Sequence, residues 1–97
     1  MKTISTTAHF DKWLMKLKDR LGASIIMSRV GSYADAGTGD VKALGDRVSE
    51  LRVHFGPGYR VYFTERGGVV ILLLCGGDKG SQDRDIAMAK KLLNEAS

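Results

Sequence analysis

Glu50-Leu51-Arg52-Val53-His54-Phe55-Gly56-Pro57-Gly58-Tyr59-Arg60-Val61-Tyr62-Phe63 is the stretch that decides how the chain folds. Two arms of period-two alternation flank a Gly-Pro-Gly turn, the pattern of a β-hairpin with one apolar face. Leu51, Val53 and Phe55 share one side of the first arm; Tyr59, Val61 and Phe63 share one side of the second. If Phe55 faces Tyr59, then His54 faces Arg60, Val53 faces Val61 and Arg52 faces Tyr62. A slip of one residue would mix polar and apolar faces, so burial selects an odd-length connection. Pro57 fits poorly at the third position of a type I turn, so a longer connection with one fewer pair stays open. Either way, Arg52, His54, Arg60 and Tyr62 share the polar face.

Outward from the hairpin, Val69 to Cys75 is a run of seven apolar residues. It predicts a strand buried on both faces, inside the sheet, with helices on one side. Towards the N-terminus, Phe10, Trp13, Leu14 and Leu17 fall at i, i+3, i+4 and i+7, an amphipathic helix capped by Thr6 or Thr7 and running to about Asp19. Leu21-Gly22 reads as a break. Ala23, Ile26, Met27 and Val30 repeat the stripe, giving a helical hairpin, with Met15 and Met27 as core filler. The segment 31–39 holds three glycines and reads as a loop; its spacing matches neither phosphate-binding glycine fingerprint. Thr3 to Ser5 and Asp40 to Leu44 read as short strands, with Gly45-Asp46 as a turn. Ser81 caps a last helix whose inward stripe is Ile86, Ala89 and Leu93. The expectation is an α+β fold: two N-terminal helices packed on a mainly antiparallel sheet, then a C-terminal helix, in one domain spanning 1–97.

With 97 residues the chain can bury one core. Its 43% apolar and 27% charged residues place it with ordinary globular domains rather than disordered chains. One cysteine excludes an internal disulfide and points to a reducing, cytoplasmic setting. Met1-Lys2-Thr3-Ile4-Ser5 carries no apolar stretch of a signal peptide, and the longest apolar run is too short to span a bilayer. A net charge of +4 is compatible with an anionic partner, though many domains carry as much. Lys12, Lys16 and Lys18 lie off the first helix's stripe and read as a solvated face.

His9 and His54 are far apart and no Cys/His cluster exists, so no metal or other cofactor is expected. Cys75 ends an apolar run and reads as a structural thiol. The polar hairpin face is the candidate site. Cleavage of RNA by its own 2′-hydroxyl needs a proton acceptor, positive charge on the phosphate and a donor for the leaving oxygen. His54 suits proton transfer, and flanking arginines favour its neutral form. Arg60 and Arg52 suit bidentate phosphate binding, and Tyr62 suits stacking on a base. Lys79 reaches the same site if the buried strand neighbours the hairpin. The competing reading is a solvent face on which Arg52 pairs with Glu50 or Glu65.

The run from Val48 to Phe63 resembles the RelE/ParE toxin superfamily, and most of all its HigB-like addiction module killer branch, through an ELR…GPGYRVY signature. Leu72-Leu73-Leu74-Cys75-Gly76-Gly77-Asp78-Lys79, then Gln82 and Asp85-Ile86-Ala87-Met88-Ala89, resembles that branch's second motif. Phe10 to Leu14 and Asp40-Val41-Lys42 match as well. The resemblance implies a bacterial toxin of a type II toxin–antitoxin system. Many such toxins cleave mRNA in the ribosomal A site without metal and are neutralised by a small DNA-binding antitoxin. It implies catalytic roles for Arg60, His54, Arg52 and Lys79; Lys42, with Tyr62, is a candidate RNA contact. Members that use a histidine or tyrosine near the start of the last helix differ here, where Gln82-Asp83-Arg84-Asp85 stands. The alternatives are a gyrase-inhibiting toxin of the same fold and a non-catalytic nucleic-acid-binding or decayed toxin domain.

Overall fold

The computed structural model describes residues 2–96; Met1 and Ser97, the two ends of the expected 1–97 domain, lie outside them. The hairpin forms from β3 (Ser49–Val53) and β4 (Tyr59–Arg66). Val53 stands opposite Tyr59, Arg52 opposite Arg60, Leu51 opposite Val61 and Glu50 opposite Tyr62. This register lies two residues from the expected one. Its parity is the same, so the apolar face keeps its membership. The connection takes up residues 54–58, where the Gly58 N–H donates to the Phe55 carbonyl at 3.1 Å. Gly56 adopts φ 57° at the second position of that turn, which lets Pro57 occupy the third. His54 is thereby left outside the strand ladder.

Five strands form one sheet in the order β1 (Thr3–Thr6), β5 (Val70–Asp78), β4, β3, β2 (Asp40–Ala43). Only β1 and β5 run parallel. The apolar run therefore lies inside the sheet as β5, between β1 and β4. Helices cover both of its faces, not one. Helices α1 (Ala8–Lys16) and α2 (Arg20–Ala36) bring Phe10, Ile26 and Val30 against Leu51, Val61, Phe63 and Leu73. On the opposite face α3 (Gln82–Ala96) brings Ala89 and Leu93 against Val48, Tyr62, Leu74 and Cys75. A bulge makes this second core: Tyr62 pairs with Cys75 but Phe63 with Leu73. The extra residue lets Leu74 and Cys75 both lie beneath α3.

Leu21-Gly22 does not break the helical segment. The break falls at residues 17–19, and Asp19 starts α2 by accepting the Gly22 N–H at 2.8 Å. Helix α2 continues to Ala36 because Tyr33 and Ala34 prolong its apolar stripe. It ends at Gly37, whose N–H donates to the Tyr33 carbonyl at 2.9 Å. The loop is thus residues 37–39 rather than 31–39. Met15 is 77% exposed and fills no core. The start of α3 is preceded by a 3₁₀ turn, Lys79–Ser81, in which Asp78 and Ser81 cap each other's backbone. Among the described residues no helix is long and apolar enough to cross a membrane.

Candidate nucleic-acid interface

Residues directly opposite each other in a sheet project from the same face. On the α3 face, Asp40, Arg52, Arg60 and Gly77 form one row across β2, β3, β4 and β5. Lys42, Glu50, Tyr62 and Cys75 form the adjacent row. Helix α3 covers the second row from Tyr62 inwards and leaves the first row partly open. The Arg52 side chain is 30% exposed and that of Arg60 12% exposed.

Glu50 is the centre of this arrangement and is fully buried. Its Oε1 accepts from Arg52 Nε at 2.9 Å and from Arg60 Nη1 at 3.3 Å. Its Oε2 accepts from Gln82 Nε2 at 2.7 Å, which ties the first residue of α3 to the sheet. Burial pushes the Glu50 carboxyl up. The hydrogen bonds from Arg52 and Gln82 and the charge of Arg60 outweigh burial and hold it below the usual range. Arg52 is correspondingly raised, chiefly by its bond to Glu50. Arg52 pairs with Glu50 and not with Glu65, which instead bonds Lys2 and Tyr33.

Arg60 is held from one side only. Its Nε is buried and has no hydrogen-bond partner. Two guanidinium groups side by side, with Arg52 the more open of the two, suit a phosphate oxygen.

His54 does not face Arg60. It is exposed at the end of β3, and its Nε2 lies 2.7 Å from Asp40 Oδ2. The group bonded to its imidazole is therefore a carboxylate rather than a flanking guanidinium. That bond is the main reason the Asp40 carboxyl is held low, with Arg52 adding to it. Tyr62 is 0% exposed, so base stacking is closed to it. Burial first and the Glu50 charge second push its phenol up. The sheet face is polar here, but α3 lies on it, which alternation alone does not reveal. Lys42 is exposed on the edge strand β2, in register with Glu50. Lys79 is exposed just after β5, and a Cβ on Gly58 would lie 3.5 Å from its own Cβ, so it stands at the hairpin tip. Lys79 and Arg84 border an open depression of about 520 Å³ at the start of α3.

Sequence reasoning missed Asp40 and Gln82, and it gave Glu50 only the role of a surface partner. The available signal for Glu50 was its position two residues before Arg52, on the same face. Cys75 is buried, its thiol donating to the Asp85 carbonyl at 3.3 Å. Burial, with the Asp85 charge, pushes the thiol up to about 12. Among the described residues no three His, Cys, Asp or Glu side chains gather in a way that would hold a metal ion.

This arrangement of three helices around a mainly antiparallel sheet defines a RelE-like α+β fold. A chain of the intact E. coli RelBE toxin–antitoxin complex matches it with a TM-score of 0.64 at 11% identity, over 80% of this chain and 96% of that one. No family model matches the sequence. The protein belongs to the same family as an uncharacterized protein of Haemophilus influenzae. The two are 46% identical over 92 residues, spanning 95% of this chain and 93% of the relative.

Proposed function

We propose that the protein is the toxin of a type II toxin–antitoxin system. In this reading it is a single RelE/ParE-like domain of the HigB-like branch. It cleaves mRNA on the ribosome in the cytoplasm without a metal ion, and a small DNA-binding antitoxin neutralises it. The RelE-like fold supports the toxin reading. One observation carries the nuclease reading: Arg52 and Arg60 stand directly opposite each other on one sheet face, with Arg52 partly open to solvent. The scissile phosphate sits against these two arginines. His54, oriented by Asp40, takes the proton of the 2′-hydroxyl as that oxygen attacks phosphorus and the 5′-oxygen leaves. Lys79 and Lys42 add positive charge along the RNA, and the ribosome supplies the remaining groups of the site.

The test is induction in bacteria with mapping of mRNA 5′ ends, alongside a gyrase supercoiling assay. Codon-phased cleavage that vanishes in Arg60→Ala is the expected result, as is rescue of growth by a neighbouring antitoxin frame. Intact mRNA with blocked supercoiling would replace the nuclease with a gyrase inhibitor. Unimpaired growth would leave a non-catalytic domain.

A further inference from the structure

Helix α3 starts at the arginine pair, where Gln82 bonds Glu50, and ends beside a second group of cations. At 1.5 Å per residue, Asn94 lies roughly 18 Å further along the axis. Two open depressions flank this far end. Arg47, Thr64, Glu65 and Arg66 border one of about 470 Å³. Asp46, Arg47, Lys90 and Asn94 border another of about 280 Å³. Arg47 is common to both and forms the ridge between them. Thr64 and Arg66 continue the alternation of β4 from Tyr62, so they project on the α3 face, as Arg60 does.

The carboxylates here are already engaged. Asp46 Oδ2 lies 3.2 Å from Lys90 Nζ. Glu65 accepts from Lys2 and Tyr33. Arg66 gives one N–H to the Ala96 carbonyl at 3.4 Å, and a guanidinium has several more to give. Arg47 is exposed and has no hydrogen-bond or ion-pair partner among the described residues. Arg47 and Arg66 are therefore left without a counter-charge. Arg47 also sits at φ 63°, beside Asp46 at φ 52°. A residue with a Cβ is strained there, and glycine is not. The strained position thus carries a long cation that no bond in the fold uses. Strain kept for an unpartnered charge points to a ligand rather than to folding.

We propose that Arg47 and Arg66 form a second phosphate-binding site, which holds the backbone of single-stranded RNA roughly one length of α3 away from the arginine pair. Lys42, exposed on β2, stands between the two sites, because β2 runs from Asp40 in the Arg52 row towards the turn that carries Arg47. Arg52, Lys42, Arg47 and Arg66 then make an interrupted line of cations beside α3, which suits a polymer with a charge on every unit. Guanidinium groups bind phosphate through paired N–H bonds, and Thr64 and Asn94 add polar partners. A protein partner would want a pocket for an aromatic or aliphatic anchor, and these depressions are bordered mainly by polar and charged side chains. Contacts of this kind position a strand without reading its sequence.

The site rests on the RNA-cleavage reading for the RNA it meets in the cell. Its test does not, because 2′-O-methyl RNA has no free 2′-hydroxyl to attack phosphorus. Purified protein is titrated by fluorescence anisotropy with labelled 2′-O-methyl oligoadenylate and oligouridylate of about 20 nucleotides, at about 50 to 200 mM salt. Each phosphate contact to a single strand adds about 0.7 to the fall of log K with log salt. Arg47→Gly should lower that slope by about 0.7, equally for both sequences, and Arg66→Gln should do the same. Arg47→Lys keeps the charge and should keep the slope. Lys12→Ala removes the same charge from the exposed side of α1, across the sheet, and should leave the slope unchanged. Glycine relieves the turn, so Arg47→Gly should melt no lower than wild type, and its weaker binding is then not unfolding. A wild-type slope in Arg47→Gly or Arg66→Gln, or an equal fall in Lys12→Ala, overturns the site. A glutamate-rich peptide that binds through Arg47 where RNA does not would also overturn it, in favour of an acidic protein. Arg47-dependent RNA binding with intact mRNA in the cell would sink the nuclease and keep the site. Codon-phased cleavage with an unaltered slope in Arg47→Gly would do the reverse.

Discussion

Replacing Glu50 with methionine removes the buried charge while keeping a side chain of similar length. Arg60, only 12% exposed, then loses the carboxylate it is hydrogen-bonded to and keeps only the more distant charge of Asp40. Gln82 Nε2 loses its acceptor as well. Removing one member of a buried ion pair costs about 3–5 kcal/mol. Arg52 is 30% exposed and can turn its charge to water, which places the loss at the low end, about 3 kcal/mol. For a domain of this size, about 4–8 °C per kcal/mol makes that a fall in Tm of roughly 12–24 °C. Adding Arg60→Met should restore most of it, because a buried ion pair replaced by apolar side chains is often neutral or better. The pH dependence follows from the direction of the Glu50 shift. A carboxyl held low in the folded state stabilises fully above its unfolded value, about 4.3, and the benefit is lost as pH falls through the lower folded value. Wild type and Glu50→Met should therefore differ most at neutral pH and converge in acid. Thermal and urea melts of the three proteins across pH provide the assay. A single variant losing less than about 1 kcal/mol, or a double variant no more stable than the single, would refute the reasoning.

Three further outcomes follow from local geometry. Gly76→Ala places a methyl 2.3 Å from the Trp13 ring and should lower stability by about 1–3 kcal/mol in urea unfolding. Arg47 adopts φ 63° beside Asp46 at φ 52° in the β2–β3 turn, closed by the Val48 N–H to the Gly45 carbonyl at 3.0 Å. Both central residues of that turn sit at positive φ, where glycine is least strained, so Arg47→Gly should raise stability by about 0.5–1 kcal/mol. Cys75, buried and with its thiol pushed up to about 12, should resist thiol reagents at pH 8 in the native state and react at once in denaturant.

Alternation in residues 49–53 and 59–63 made the two faces of the hairpin legible, because a wrong parity would expose Leu51, Val61 and Phe63 to water. The two-residue offset in register was not legible. It depends on Gly56 taking a positive φ, which a glycine permits but does not announce. The stripe over Phe10, Trp13 and Leu14 showed α1, while glycine content hid the second half of α2, since Tyr33 and Ala34 outweigh Gly31. Arg52 and Arg60 were readable as neighbours on one face. Glu50 was harder to place, because alternation distinguishes the two faces of a strand but not which part of a polar face lies under a distant helix. Asp85, Gln82 and Tyr62 gain their roles from that same docking of α3. The Asp40–His54 contact joins residues separated by a whole hairpin and has no local signature.

The most direct test of the arginine pair as an RNA-cleaving site is single-turnover cleavage of a defined mRNA on programmed ribosomes, comparing wild type with Arg60→Ala. Cleavage within the codon of the vacant A site, falling by about 10²–10³ in the variant, is the predicted result. An intact message with wild type, or an Arg60→Ala protein that cuts at the wild-type rate, would contradict it.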